Sequence, residues 1–226
     1  MESIVISLGG SVLVPNKKDA EYLKSLSSLL LNLSETYKIF IVTGGGRISR
    51  YYISSGRMLG ADERYLDELG IEVTRLNARL LITALGSNAY PKPAFDINEA
   101  KEAGNKYKIV IMGGTVPGHT TDAVSAMLAE NVGAARLINA TSVDGVYDSD
   151  PKKNPKAKKF KKMSHENLIA ISSRSEGIAG PTVIFDPKGA KIIANAKIPL
   201  YVCNGRNLNA LKNAIMGKEC DGTIVG

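Results

Sequence analysis

Three apolar, β-branched runs in the first half of this chain end on adjacent glycines: Ile4 to Gly10, Ile39 to Gly46 and Ile109 to Gly114. Glycines where a strand stops let bare backbone N–H groups approach an anion closely, and a helix starting just beyond adds the positive end of its dipole. Three such turns suit several phosphates rather than one. None carries a Walker lysine, and GxxxxGK[ST] is absent, which excludes a P-loop enzyme.

Each turn brings different side chains. ISLGGS (6–11) offers Gly9 and Gly10 with the Ser11 hydroxyl, a cradle suited to the β and γ phosphates of a nucleotide. TGGGRISR (43–50) adds Arg47 and Arg50 beside three glycines, and a guanidinium, always charged, can fork onto phosphate oxygens. MGGTVPGHTTDA (112–123) is the most specific: His119, Thr120 and Thr121 precede a helix carrying Asp122. Hydroxyls at a helix N-terminus can receive a phosphate and read a polar base edge, while the acid can orient a metal or a sugar hydroxyl. His119 has no partnered Ser or Cys nucleophile motif, so it reads as a pocket liner or loop residue rather than a general base.

Alternating strands and helices must position these turns, the signature of an α/β sheet with helices on its faces. Strands are expected at 2–8, 38–43, 88–90, 107–112, 136–141, 199–203 and 222–225. Helices are expected at 19–34, 47–56, 61–84, 96–103, 121–131, 164–172, 187–196 and 207–216. Asp19 can cap the first of these helices. The helix over 61–84 shows an apolar stripe of Leu66, Leu69, Val73, Leu76, Leu80 and Leu81, with Asp67 inside it. Asp144–Gly145 and Asp150–Pro151 mark turns.

The chain has 226 residues, enough for a full core without a disulfide or metal staple. Cys203 and Cys220 lack CxxC spacing and read as reduced and structural. No basic leader precedes an uninterrupted apolar run, and no segment approaches the length that spans a bilayer, so a cytoplasmic protein without membrane contact is expected. The formal charge of +7 is local: residues 152–162 hold seven lysines and no acid, and elsewhere bases and acids balance. With only Phe160 among those lysines, they read first as a solvated loop or hairpin, then as a rim attracting nucleotides, and last as a nucleic-acid surface.

Taken in order, the stretches LGGSVL (8–13), VTGGGRISRYY (42–52), DELGIEVTRLNA (67–78), GGTVPGHTTDAVSAMLAE (113–130), ATSVDGVYDSDPKKNPKAKK (140–159) and FDPKGAKII (185–193) resemble the amino-acid kinase family, and within it the archaeal-type UMP kinases. The resemblance covers nearly the whole chain. It implies a single three-layer α/β/α domain with a largely parallel central sheet, in which an acceptor lobe spans roughly 1–133 and an ATP lobe roughly 134–226. It also implies transfer of the γ-phosphoryl of ATP to UMP with Mg²⁺, and a homohexamer. By matching motif, Gly9, Gly10 and Ser11 would cradle ATP phosphates, while Gly45 and Arg50 would lie where the two nucleotides approach. Thr141, Tyr147 and Asp150 match the positions that hold the nucleoside of ATP. Gly44, Asp67 and the loop Thr115, Val116, Pro117, Gly118, His119, Thr120 and Thr121 match the UMP site.

One position departs from the family. Many members carry a lysine that neutralises the transferring group where this chain has Ser7. Phosphoryl transfer relies on positioning and on cations, so another cation should substitute. Lys188 is the candidate, with Arg50 and Asp122 completing the expected catalytic set. Other readings are a kinase of the same fold acting on isopentenyl phosphate, acetylglutamate or carbamate, and a nucleotide-sensing or RNA-binding regulator using the lysine cluster.

Overall fold

A computed structural model describes residues 1–14, 19–149, 151, 154–174 (Arg174 in its backbone only) and 185–226. The chain runs β1 (Glu2–Leu8), α1 (Gly10–Leu13), α2 (Asp19–Ser34), β2 (Tyr37–Thr43), α3 (Gly46–Met58), α4 (Glu63–Leu85), α5 (Ile97–Ala103), β3 (Ile109–Met112), α6 (Thr121–Asn131) and β4 (Arg136–Thr141). It continues through β5 (Val146–Tyr147), β6 (Lys159–Phe160), β7 (Lys162–Met163), α7 (His165–Arg174), α8 (Pro187–Asn195), β8 (Leu200–Asn204), α9 (Leu208–Ile215) and β9 (Gly222–Val225).

Among the described residues seven strands form one sheet in the order β3-β2-β1-β4-β8-β9-β7, and β5 pairs with β6 in a separate hairpin. From β3 to β8 every pairing is parallel, whereas β9 lies antiparallel to β8. Parallel strands are covered on both faces, which is why their sequences are nearly unbroken apolar runs. Alternate residues divide the core. Ile4, Ile6 and Leu8 pack with α2, α4 and α9, while Val5, Phe40, Val42 and Val110 pack with α5, α6 and α8. Three layers result, as expected from the alternation of elements.

Parallel strands also end on one edge. In register, Leu8 pairs with both Thr43 and Ala140, and Val42 pairs with Met112, so all three glycine turns leave the sheet side by side. Strand order reverses at β1, whose neighbours are β2 and β4, and such a switch point opens a crevice at the carboxyl ends of the strands.

Several helices start where their caps dictate. Asp62 accepts from Tyr65 N–H before α4, Thr120 from Ala123 N–H before α6, and Asp186 from Gly189 N–H before α8. Asp19 is instead the first residue of α2, and its carboxylate takes Arg206 Nη2 at 3.2 Å.

Two expectations are corrected. Residues 88–90 form no strand: Gly86–Asn88 is a 3₁₀ turn, after which Tyr90 and Ala94 each donate one backbone bond to the edge of β3. Pro91 and Pro93 lack the N–H a ladder needs, so pairing cannot propagate. The apolar stripe of α4 is also rotated from the expected one. Leu76 and Leu80 are exposed, and the buried face instead includes Gly70, Thr74 and Asn77. Small and polar residues face inward there because α4 packs against the glycine turns.

Candidate active site

The first two turns interlock backbone to backbone. A β-carbon on Gly10 would stand 2.5 Å from the Gly45 carbonyl carbon, and one on Gly46 would stand 2.7 Å from Ser11 N. Gly46 also adopts φ +64°, which disfavours any side chain. Glycine is therefore imposed from both sides of the junction.

Not every glycine offers a free donor. Gly9 N–H donates to the Ala140 carbonyl and Gly44 N–H to that of Leu8, so both are spent extending the sheet. Among the described residues, the N–H groups of Gly10, Ser11, Gly45 and Gly46 take no protein acceptor. These four lie at the starts of α1 and α3, where helix geometry leaves donors unsatisfied. Asn77 Nδ2 donates to the Gly44 carbonyl at 2.8 Å and reaches that of Gly45 at 3.4 Å. Because C=O and N–H point opposite ways across a peptide plane, this grip turns Gly45 and Gly46 N–H away from α4.

The third turn is held by side chains. Thr74 Oγ1 accepts from Gly114 N–H at 2.7 Å and donates to the Ile71 carbonyl. Asp67 accepts from Gly118 N–H at 2.8 Å, and Arg75 Nη2 reaches the Thr115 carbonyl at 3.4 Å. A single helix thus grips the second and third turns.

Between them opens a cavity of about 440 Å³ lined by Gly45, Ser49, Ile53, Asp67, Gly70, Ile71, Thr74, Gly114, Val116, Gly118, His119, Thr120 and Thr121. A larger hollow of about 580 Å³ lies against α4 between Leu76 and Phe95. It touches none of the glycine turns, so the smaller cavity is the candidate site.

Ser7, last but one in β1, has the same parity as Val5 and faces α6. Its hydroxyl donates to Asp122 Oδ1 at 2.8 Å. Burial pushes the Asp122 carboxyl up to about 6; the Ser7 bond opposes the shift and the charge of Asp186 adds to it. Lys188 Nζ lies 2.8 Å from His119 Nε2. Arg50 is exposed on α3. In the hairpin Tyr147 Oη donates to Asp144, and Lys159 Nζ bridges Asp144 and Asp221 at 3.0 and 2.6 Å.

This edge-of-sheet arrangement coincides with a sequence family: the model for the amino acid kinase family matches residues 2–204. The chain belongs to the amino acid kinase family. Among similar members, a uridylate kinase of Methanoculleus marisnigri is 49% identical across all of this chain and 96% of that protein. One of Pyrococcus abyssi is 47% identical across 98% of each. The crystal structure of uridylate kinase from Archaeoglobus fulgidus matches the whole chain with a TM-score of 0.89 at 41% identity, each chain covered in full. A UMP kinase structure from Bacillus anthracis, 21% identical with a TM-score of 0.81, shares the fold.

Against this family frame, the cavity gathers Gly45, Asp67, Val116, Gly118, His119, Thr120 and Thr121 of the expected residues. Gly44, Thr115 and Pro117 do not line it: Gly44 is closed in by Gly10 and Asn77, and the Thr115 carbonyl is turned to Arg75. Gly9, Gly10, Ser11 and Thr141 lie at the ends of β1 and β4, on the other side of the junction. Asp150 lies outside the described residues. Sequence reasoning missed Ser49, Thr74 and Asn77. Thr74 and Asn77 left a signal, as polar residues at helical spacing from Gly70 on the face of α4 that also carries Leu66, Ile71, Ala78 and Leu81.

Proposed function

We propose that this chain transfers the γ-phosphoryl group of ATP to UMP, giving UDP and ADP by in-line displacement without a covalent enzyme intermediate. The observation that carries the reading is the interlock of the first two turns beside a cavity of about 440 Å³ whose wall carries Asp67, His119, Thr74, Thr120 and Thr121. Two sets of free amide donors meet there, as a donor and an acceptor phosphate must. The whole-length likeness to uridylate kinases supports UMP as acceptor.

In this reading Gly10 and Ser11 N–H hold ATP phosphates, with Gly9 as the close-approach residue, and Gly45 and Arg50 serve the junction. Thr141, Tyr147 and Asp150 hold the nucleoside of ATP. Asp67 and the loop 115–121 hold UMP, with Gly44 supporting from behind. The acceptor lobe is then roughly 1–133 and the ATP lobe roughly 134–226. Charge spread over the transferring group is stabilised by Arg50 and Lys188 rather than by a residue at position 7.

Mg²⁺ fits as a companion of ATP. Among the described residues no group of three or more His, Cys, Asp or Glu could hold a metal. A hard cation that keeps its waters and substrate phosphates needs only one or two carboxylates, and Asp122 is the nearby candidate. When bound, the ion would neutralise phosphate charge. Asp122, tied to Ser7, would orient it only as the anion.

Exposed Tyr51, Tyr52 and Met58 on α3 and Leu59 just beyond it, with Tyr65, Leu76 and Leu80 on α4, support a homo-oligomer, and the family resemblance a hexamer. Among the described residues no helix is long and apolar enough to cross a membrane. A cytoplasmic setting suits the substrates.

Purified protein given Mg-ATP with UMP, CMP, AMP or GMP should form diphosphate product with UMP preferred at least ~10-fold in kcat/KM, about 1.4 kcal/mol of discrimination. Equal rates across the four acceptors would sink the assignment.

A further inference from the structure

A contact between two basic groups stands at the rim of the acceptor cavity. Lys188 Nζ and His119 Nε2 are 2.8 Å apart. An ammonium has no lone pair, so the lysine donates and the imidazole must accept, with its own proton on Nδ1. Lysines commonly pair with carboxylates, and two are close by in sequence and space. Each uses a single oxygen elsewhere, Asp122 Oδ1 accepting from Ser7 and Asp186 Oδ1 from Gly189 N–H, and among the described residues neither lies within ion-pair distance of Lys188. Lys188 is therefore held by His119 and not by a carboxylate.

The surroundings disfavour a cation only mildly. Lys188 is exposed in the first turn of α8, where the helix dipole opposes a positive charge and the Asp186 cap offsets it in part. The turn cannot drift, because α8 packs on α6: a β-carbon on Gly189 would lie 3.2 Å from the Asp122 carbonyl oxygen. His119 precedes α6 by one residue, Thr120, whose hydroxyl caps that helix. Lys188 and His119 thus close a short ring through the joined N-termini of two helices.

We infer that His119 is a positioning residue, holding the Lys188 ammonium at the cavity rim without a carboxylate partner so that it meets the transferring phosphoryl group already oriented. The inference rests on the proposed reading of Lys188 as the cation that serves in place of one at position 7. A flexible lysine left free would be ordered anew at every turnover. Held by imidazole, it is ordered in advance, and the bond is neutral enough for a phosphate oxygen to displace it.

The test is a double-substitution cycle read in kcat at saturating UMP and Mg-ATP, with KM for UMP recorded separately. Lys188→Met should lower kcat ~100-fold. His119→Leu should lower it ~10-fold in the wild-type background and leave it unchanged in Lys188→Met, because residues acting as a unit are not additive. His119→Gln, which keeps an acceptor oxygen near the Nε2 position, should restore kcat to within ~3-fold. Any direct contact of His119 with UMP would appear in KM in both backgrounds. Two results overturn the inference. If His119→Leu lowers kcat by the same factor with and without Lys188, positioning is wrong while Lys188 stands. If Lys188→Met leaves kcat unchanged, the assignment of the cation fails and positioning falls with it. Matching melting temperatures across the set exclude misfolding.

Discussion

The first two glycine turns meet backbone against backbone, with Asn77 of α4 bracing the second, whereas the third is suspended from α4 by Asp67, Thr74 and Arg75. The same local motif, a strand ending on glycines, is thus fixed by two different means. Backbone contact leaves no freedom for a side chain and little for movement. Suspension by side chains lets a segment be repositioned by changing residues far away in sequence. A junction where phosphate moves benefits from the first, and a loop that selects an acceptor benefits from the second.

Breaking the interlock should have the largest effect. Gly10→Ala forces a methyl into the backbone of Gly44 to Gly46, and overpacking of this kind costs about 1–3 kcal/mol, or ~3–10 °C in melting temperature for a chain this long. Displacing the junction by a fraction of an ångström should also reduce kcat ~100-fold or more. Full activity in that variant, measured by coupled assay, would mean the two turns do not act together.

Loosening the suspension should be milder and selective. Thr74→Val keeps the shape but strands the buried Gly114 N–H, costing about 1–3 kcal/mol. KM for UMP should rise ~10-fold while KM for ATP moves less than ~2-fold. A matching rise in both would show that the third turn is not specific to the acceptor.

Charge at the root of α6 gives a smaller effect with a definite sign. The Asp122 carboxyl is pushed up to about 6 in the folded chain, so the folded state binds its proton more tightly than the unfolded one. Its contribution is present below pH ~4, the ordinary carboxylate range, and is lost as pH rises through about 6. Asp122→Asn, which mimics the protonated form, should match the wild type near pH 4 and be more stable by about 1–2 kcal/mol at pH 7. Thermal melts across that range would reveal a flat difference if the shift is absent. Turnover should fall in the variant at every pH, since the carboxylate is what orients a cation.

The smallest effect is expected far from both regions. Lys158→Glu, Lys161→Glu and Lys162→Glu lie on or beside the β5–β6 hairpin and should each change stability by less than about 0.5 kcal/mol. Lys159 differs from its neighbours because Asp144 and Asp221 clamp it. Retention of RNA by the wild type, lost on these reversals in a filter-binding assay, would revive the regulator reading.

The comparison also explains what the sequence discloses. Gly10, Gly44 and Gly46 are crowded by backbone and Gly45 by the Ser49 side chain, and their clustering at strand ends makes them readable without coordinates. β1, β2 and α6 are readable because a strand buried on both faces and a capped helix each leave strong local patterns. Asn77 and Thr74 show only as polar residues at helical spacing, and what they hold is not readable, because their partners lie in turns 33 and 40 residues distant along the chain. α1 escaped notice because four residues are too short to show helical periodicity. The Ser7 contact to Asp122 spans 115 residues and was open only to strand parity plus knowledge of which helix covers that face.

The interlock has one more consequence, for how the chain finds its fold. β1 and β2 pair with Leu8 opposite Thr43, and that alignment sets Gly10 against the backbone of Gly44 to Gly46. Slipping the pair by a single residue would turn every side chain of the moved strand to the opposite face and bring Ser11 or Arg47 towards a crossing with no room for a β-carbon. The end of the two strands therefore proofreads their alignment, and a misthreaded sheet is rejected at the place where the phosphates will later meet.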